Sequence, residues 1–387
     1  MRGETECPNI PVDSDEFQMK IIGNYLDLIE FANGDPKENE WAALRAKMGH
    51  PEPFGIDRIG IGNENYDEVY FKRFDLIEKA IHAKYPDIIC ILCGGVHPYY
   101  EDMMGSPGLN TVYEFAAKHK NILVDEHSYH TPEWFAAQST RFDNYDRSGA
   151  GVYFGEYAAN GLLSLTEAMM AQDGEAGQED ISDTAPPASI LEMMDPDGEQ
   201  SDLGMRPMNK SNQLDTALGE AAFLTGVERN GDIVAMASYA PLFNLIDSDQ
   251  WNHNLINFNP QTLCLSTNYF VQKMFSCHLG TRYLPLNGEL PENTYLSATE
   301  DENAVYLKFV NTGAQENVVT VQLPYDTANA YGEILQNKDP HSRNDLNFVG
   351  EAVYIVQPVN TEICVVDQKL TIEVKPYSVC VFTLKKA

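Results

Sequence analysis

The sequence predicts an α/β domain over residues 1–280 followed by an all-β domain over residues 281–387. Two observations carry this expectation. Short apolar runs alternate with segments of helical periodicity five times between residues 54 and 278, which is the pattern of consecutive β/α units. From about residue 281 the helical periodicity gives way to strand-like runs separated by turn residues, as in a β-sandwich. Five units do not close an eight-stranded barrel. The alternation alone therefore leaves two options, an open parallel sheet or a barrel with about three of its units outside this chain.

Taken in order, Phe17 to Phe31 carries apolar residues at roughly helical spacing and ends at Asn33-Gly34-Asp35-Pro36, a helix stop followed by a turn. A short polar segment with Trp41 leads to Gly49-His50-Pro51-Glu52-Pro53-Phe54, which reads as a rigid loop. Strand 54–62 is then paired with helix 69–84, strand 87–93 with helix 109–119, and strand 121–127 with helix 132–146. Strand 151–157 is paired with helix 214–229, and strand 232–240 with helix 267–278. Runs such as Ile88-Ile89-Cys90-Ile91-Leu92 and Ile122-Leu123-Val124 are apolar throughout, as strands covered on both faces are.

An insertion at about residues 165–212 interrupts the alternation. From Ala171 to Gly204 it has ten acidic residues and no Lys or Arg, a composition that cannot offset its ordering entropy and predicts a mobile surface loop. In the all-β part, strands are expected at Ala304–Val310, Val318–Leu323, Ala352–Val356, Lys369–Val374 and Val379–Leu384.

Composition narrows the functional classes. The balance of 58 Asp+Glu against 26 Lys+Arg gives a net charge of −32, which repels phosphate backbones and excludes nucleic acid as a partner. No apolar run reaches the ~20 residues of a membrane helix, so no membrane association is expected. The N-terminus, Met1-Arg2-Gly3-Glu4-Thr5-Glu6-Cys7-Pro8, has no hydrophobic signal core. Seven cysteines are scattered along the chain, and Cys90 and Cys93 form a C-x-x-C inside an apolar run. Buried strand thiols are the expectation there, because a redox pair needs a helix N-terminus. Without a second C-x-x-C or an H-E-x-x-H, no metal site is expected.

Three predicted strand ends are polar: Asn63-Glu64-Asn65, Asp125-Glu126-His127-Ser128-Tyr129-His130 and Gly155-Glu156-Tyr157. In parallel α/β architecture that is the edge where active sites form. No Lys or Arg adjoins Glu64 or Glu156 in sequence. Two carboxyls on converging strand ends match the needs of glycoside hydrolysis, in which one group donates a proton and the other attacks or activates water. Strand-end glutamates also serve as helix caps or loop braces, so the residues alone leave both readings open.

The chain resembles the C-terminal part of the α-L-arabinofuranosidases of glycoside hydrolase family 51. The resemblance is carried by Leu26-Asp27-Leu28-Ile29-Glu30-Phe31-Ala32-Asn33-Gly34, Gly49-His50-Pro51-Glu52-Pro53-Phe54-Gly55, Ile61-Gly62-Asn63-Glu64-Asn65 and Asp125-Glu126-His127-Ser128-Tyr129. It continues through Phe154-Gly155-Glu156-Tyr157-Ala158, the segment from Glu220 to Asn230, and Met236-Ala237-Ser238-Tyr239-Ala240-Pro241-Leu242-Phe243. It implies strands four to eight of a (β/α)8 barrel followed by a C-terminal antiparallel β-sandwich. It also implies release of terminal α-L-arabinofuranosyl groups, with retention, from arabinose-containing oligo- or polysaccharides, without metal or organic cofactor.

By the same resemblance Glu64 is the acid/base, Glu156 the nucleophile and Asn63 a contact to the sugar 2-hydroxyl. Tyr129 orients the nucleophile, His127 is a further substrate-site residue, and homo-oligomers fit the family. Tyr66-Asp67 stand where the family usually has Trp. A full-length form exported from the cell is compatible with the same resemblance, and the competing reading is a non-catalytic remnant that binds carbohydrate.

Overall fold

A computed structural model describes residues 10–65, 67–96, 108–159, 211–246, 254–347 and 350–387. The acidic stretch expected as a surface loop lies outside the described residues up to position 210. Two compact units are formed, dividing within the third and fourth strands of the parallel sheet. Among the described residues no helix is long and apolar enough to cross a membrane.

The first unit comprises Met1–His127 and Asp146–Phe154. A π-helical turn, Phe17–Ile22, runs into α1, Gly23–Asn33. The segment around Trp41, read as merely polar, is a helix, α2, Glu40–Lys47. Its N-cap Asn39 accepts from the N–H groups of Trp41 and Ala42, satisfying donors that a helix start leaves over. Arg45 on α2 is fully buried and donates to the carbonyls of Phe31, Gly34, His50 and Pro51 at 2.7–3.1 Å. Those bonds fasten the end of α1 to the Pro-rich loop.

Strand β1, Arg58–Ile61, is shorter than the expected 54–62. Residues before it are tied to α1 instead: the Phe54 N–H donates to the Ala32 carbonyl, and the Asn33 amide bonds both N–H and carbonyl of Ile56. Then come α3, Glu68–Lys84, β2, Ile89–Val96, α4, Leu109–Ala116, β3, Ile122–His130, and later β4, Gly151–Ala159. β1 pairs parallel with β2, and β2 with β3. The core of this unit joins Phe17, Ile29, Phe74, Ile77, Leu92 and Val124. Cys90 and Cys93 are buried in β2 as expected, and burial pushes the Cys90 thiol up to about 12.

The second unit comprises Ser128–Tyr145 and Gly155–Ala387. Helix α5, Pro132–Ala137, continues only as a 3-10 turn over Gln138–Thr140, short of the predicted end at 146. The reason is α6, Leu214–Arg229, which takes over the local carbonyl: Arg229 Nη2 donates to Ser139 O at 2.5 Å. A Cβ at Gly226 of α6 would lie 1.9 Å from that same oxygen, so only glycine permits the approach. Strand β5, Val234–Tyr239, closes the parallel sheet, whose order is β1-β2-β3-β4-β5. These strands and helices form a parallel half-barrel, the five-strand portion of a (β/α)8 barrel.

Three short strands, β6 (Phe243–Leu245), β7 (Ile256–Phe258) and β8 (Leu263–Leu265), make a small sheet before α7, Thr267–Ser276. The rest is the predicted sandwich. Strands β9 (Arg282–Tyr283), β10 (Thr294–Glu300), β11 (Ala304–Asn311), β12 (Asn317–Gln322) and β13 (Thr327–Gln336) precede β14 (Asp345–Leu346) and β15 (Ala352–Val353). Strands β16 (Val359–Glu362), β17 (Lys369–Val374) and β18 (Ser378–Lys386) complete it. The main sheet has the order β16-β13-β18-β11-β10-β9, and β12 pairs with β17. Leu296, Leu307, Phe309, Leu370, Val374 and Phe382 fill the core.

Strand β10 was not anticipated because Ser297, Thr299 and Glu300 interrupt its apolar pattern, yet all three are buried. Ser297 donates to Glu228 on α6, and Lys308 of β11 bridges Glu228 (2.7 Å), Thr299 and the His278 carbonyl. The sandwich is thus joined to α6 by buried polar contacts as well as apolar ones. The strand expected at Ala352–Val356 shrinks to two residues because Asn344 Oδ1 takes the N–H groups of both Ile355 and Val356.

Candidate active site

In the first unit the turn after β1 is set by backbone geometry. Gly62 has φ +95°, and a Cβ there would lie 2.4 Å from Asn65 Oδ1, the atom that accepts the Asn63 N–H at 3.0 Å. Glu64 itself sits at φ +53°, a left-handed conformation uncommon for a residue with a side chain. The turn is anchored below by Tyr70 of α3, whose hydroxyl donates to the Ile61 carbonyl at 2.7 Å and accepts the Cys93 N–H at 2.8 Å. Asp67 caps α3 by accepting the Tyr70 N–H.

His127 lies near the end of β3 and is 2% exposed. Its Nδ1 is 3.2 Å from Glu64 Oε1, and its Nε2 is 3.2 Å from Asp125 Oδ2. Glu64 and His127, proposed separately from the sequence, are therefore hydrogen-bonded partners, with Asn63 beside Glu64 in the same turn. Glu126 points elsewhere: it is fully buried and accepts from the Tyr113 hydroxyl at 2.8 Å. Sequence reasoning passed over Asp125, although its place two residues before His127 on a strand was the available signal.

In the second unit Tyr129 donates to Glu156 Oε2 at 2.7 Å. A hydrogen bond of that length fixes the orientation of the carboxyl group. Tyr129 and His127 share a face of β3 by the two-residue alternation of a strand. The end of β4 is held on several sides. Ser238 Oγ donates to the Gly155 carbonyl at 2.6 Å, and the Ala240 N–H donates to the Tyr157 carbonyl at 3.2 Å.

Behind it stands Glu220 of α6, fully buried, accepting from Ala159 N at 2.8 Å and from Gln272 Nε2 at 3.2 Å. Burial pushes the Glu220 carboxyl up to about 8, against the pull of those two donors. Burial likewise raises the phenols of Tyr157 and Tyr239. Ser238, Tyr239, Glu220 and Gln272 were not singled out from the sequence. A lone acid within the apolar run of α6 was the one signal that marked Glu220.

Known proteins match the chain along most of its length. The profile of the α-L-arabinofuranosidase 1 domain matches residues 6–147, and that of the α-L-arabinofuranosidase C-terminal domain matches residues 192–378. An extracellular exo-α-L-arabinofuranosidase of Streptomyces chartreusis is 34% identical over 278 residues, 72% of this chain and 27% of that protein. The α-L-arabinofuranosidase A of Aspergillus kawachii is 29% identical over 343 residues, 87% of this chain and 44% of that protein.

A solved arabinose-bound family 51 α-L-arabinofuranosidase is 27% identical, with a TM-score of 0.73 over 97% of this chain and 52% of its own. The family 51 enzyme of Bifidobacterium longum, at 19% identity and a TM-score of 0.62, shares the fold over 93% of this chain and 74% of its own. The chain spans about half the length, or less, of the curated relatives it matches. Domain profiles, relatives and fold agree, and the chain belongs to the α-L-arabinofuranosidases of glycoside hydrolase family 51.

Proposed function

We propose that the protein removes terminal non-reducing α-L-arabinofuranosyl groups from arabinose-containing oligo- or polysaccharides by double displacement. Glu156 attacks the anomeric carbon while Glu64 gives its proton to the departing glycosidic oxygen, leaving an arabinosyl ester on Glu156. Glu64, now a carboxylate, takes a proton from water as that water attacks the ester. Arabinose leaves with retained configuration, Glu156 is regenerated as a carboxylate and Glu64 as an acid. Such a pair operates at a carboxyl separation of ~5–5.5 Å. Asn63 contacts the sugar 2-hydroxyl, and His127 contributes to the sugar site while holding Glu64.

One observation carries the reading. Each of two strand-end glutamates is paired with a residue of β3, Glu64 with His127 and Glu156 with Tyr129. A reacting carboxylate needs its oxygens aimed, and both side chains that aim these two come from one strand, β3. Family membership supports the substrate class.

The test is arabinose release from an aryl α-L-arabinofuranoside with a good leaving group. The unmutated protein is expected to be active and Glu156→Ala to lose several orders of magnitude. Glu64→Ala is expected to keep some turnover, which azide raises by replacing water as the second nucleophile. Equal activity in all three proteins overturns the assignment.

A further inference from the structure

The strand that carries Glu156 is braced by a chain of buried polar groups that the two-carboxyl chemistry does not use. Glu220 Oε1 accepts the N–H of Ala159, the last residue of β4, at 2.8 Å. Its Oε2 accepts from Gln272 of α7 at 3.2 Å. Gln272 Oε1 in turn accepts from the Tyr157 hydroxyl at 2.7 Å. The chain therefore begins at the end of β4 and returns to β4 one residue past Glu156. Tyr157 is 1% exposed, and strand alternation turns its side chain to the face opposite Glu156.

Among the described residues, the groups that face Glu220 are Tyr157 from β4, Tyr239 from β5, and Asn268 and Gln272 from α7. None of these is a cation. A buried carboxyl without a counter-ion is a poor device for stability. A neutral amide would hold one N–H at lower cost. A carboxyl offers two oxygens in a fixed plane, one accepting the Ala159 N–H and the other bonded to the Gln272 amide, so a single side chain ties the β4 backbone and the Gln272 arm together.

We propose that Glu220 is a positioning residue for Glu156. Acting through Ala159 and through Gln272 and Tyr157, it fixes the end of β4 and hence the line along which the Glu156 carboxylate meets the anomeric carbon. The proposal rests on the nucleophilic role given to Glu156 above. A reacting group misplaced by about 1 Å loses roughly 100-fold in rate, so a brace on the opposite face of the strand is felt in catalysis.

Two measurements test this on the unmutated protein, Glu220→Leu, Glu220→Gln and Glu156→Ala. They are steady-state kinetics on an aryl α-L-arabinofuranoside and hydrogen–deuterium exchange of the 151–159 segment. Leucine removes both polar contacts; glutamine keeps an oxygen to accept from Ala159. Glu220→Leu is expected to lower kcat about 10- to 100-fold with KM within about twofold. It should also speed exchange at the end of β4, and Glu220→Gln should recover most of both losses. Should Glu220→Leu fail to fold, Gln272→Met, which cuts only the Tyr157 arm, carries the same expectations.

Unchanged kcat in Glu220→Leu, with Glu156→Ala inactive, overturns the proposal and leaves the nucleophile standing. Full activity in Glu156→Ala overturns the functional reading, and the positioning role with it. If the unmutated protein releases no arabinose, the functional reading falls for this chain. Exchange then decides the brace alone, and unchanged protection in Glu220→Leu refutes it.

Discussion

Replacing Glu220 by glutamine should alter stability in a way that depends on pH. The carboxyl is fully buried, and burial lifts it from its ordinary 4.5 to about 8 despite hydrogen bonds from Ala159 and Gln272. In the unfolded chain the same group ionises near its ordinary value. Between those limits the folded protein holds a proton that the unfolded chain has released, so stability falls as pH rises. Each pH unit across the window is worth about 1.4 kcal/mol, giving roughly 5 kcal/mol as an upper bound between pH 4.5 and 8.

Glutamine has nothing to ionise. Relative to the unmutated protein, Glu220→Gln should therefore gain stability steadily from about pH 5 to pH 8 and level off above it. Its amide NH2 group facing the Gln272 amide is accommodated by a flip of Gln272, with the Tyr157 hydroxyl then accepting, which adds a cost that does not vary with pH. Urea unfolding at a series of pH values measures the difference. A stability gap between the two proteins that stays flat across this window refutes the reasoning.

Other outcomes follow from the same structure. Tyr129→Phe removes the donor 2.7 Å from Glu156 Oε2; a bond to a charged acceptor is worth about 1.5–3 kcal/mol, so kcat should fall about 10- to 100-fold with little change in KM. Steady-state kinetics check this, and an unchanged kcat removes Tyr129 from the orienting role. Lys308→Met strands the buried Glu228, whose carboxyl burial already raises and whose ion pair with Lys308 is 2.7 Å long. The cost should be about 3–5 kcal/mol, with much of it recovered in a Lys308→Met, Glu228→Leu double variant. Chemical unfolding of both measures it, and additive losses contradict the coupling.

The parts of the fold that could be read from the sequence were those in which local pattern and tertiary role agree. The apolar runs at Ile88–Leu92 and Ile122–Val124 became β2 and β3 because both faces of the sheet are covered. The reading failed where partners distant in sequence decide the local structure. α2 was missed although Asn39, Glu40 and Lys47 mark a capped helix, since its buried Arg45 looks polar until its four carbonyls come together. α5 stopped early because Arg229 and Gly226, far along the chain, claim the carbonyl of Ser139.

Within the candidate site, Glu64, Glu156, His127 and Tyr129 stood out as polar residues at strand ends. The groups behind them did not, because Glu220 and Gln272 lie on helices and meet β4 only in three dimensions. The left-handed backbone at Glu64 was equally hidden, since no residue type announces it.

The central claim is that Glu156 is the nucleophile and Glu64 the acid/base of one double displacement. Its most direct test is mass mapping of Glu64→Ala after brief exposure to an aryl α-L-arabinofuranoside with a good leaving group. Without Glu64 to activate water, the ester should accumulate. The account predicts a single arabinosyl adduct on the peptide containing Glu156, lost when azide is added and absent in Glu64→Ala combined with Glu156→Gln. Arabinose release with an adduct on another residue, or release by direct water attack with inversion, contradicts it.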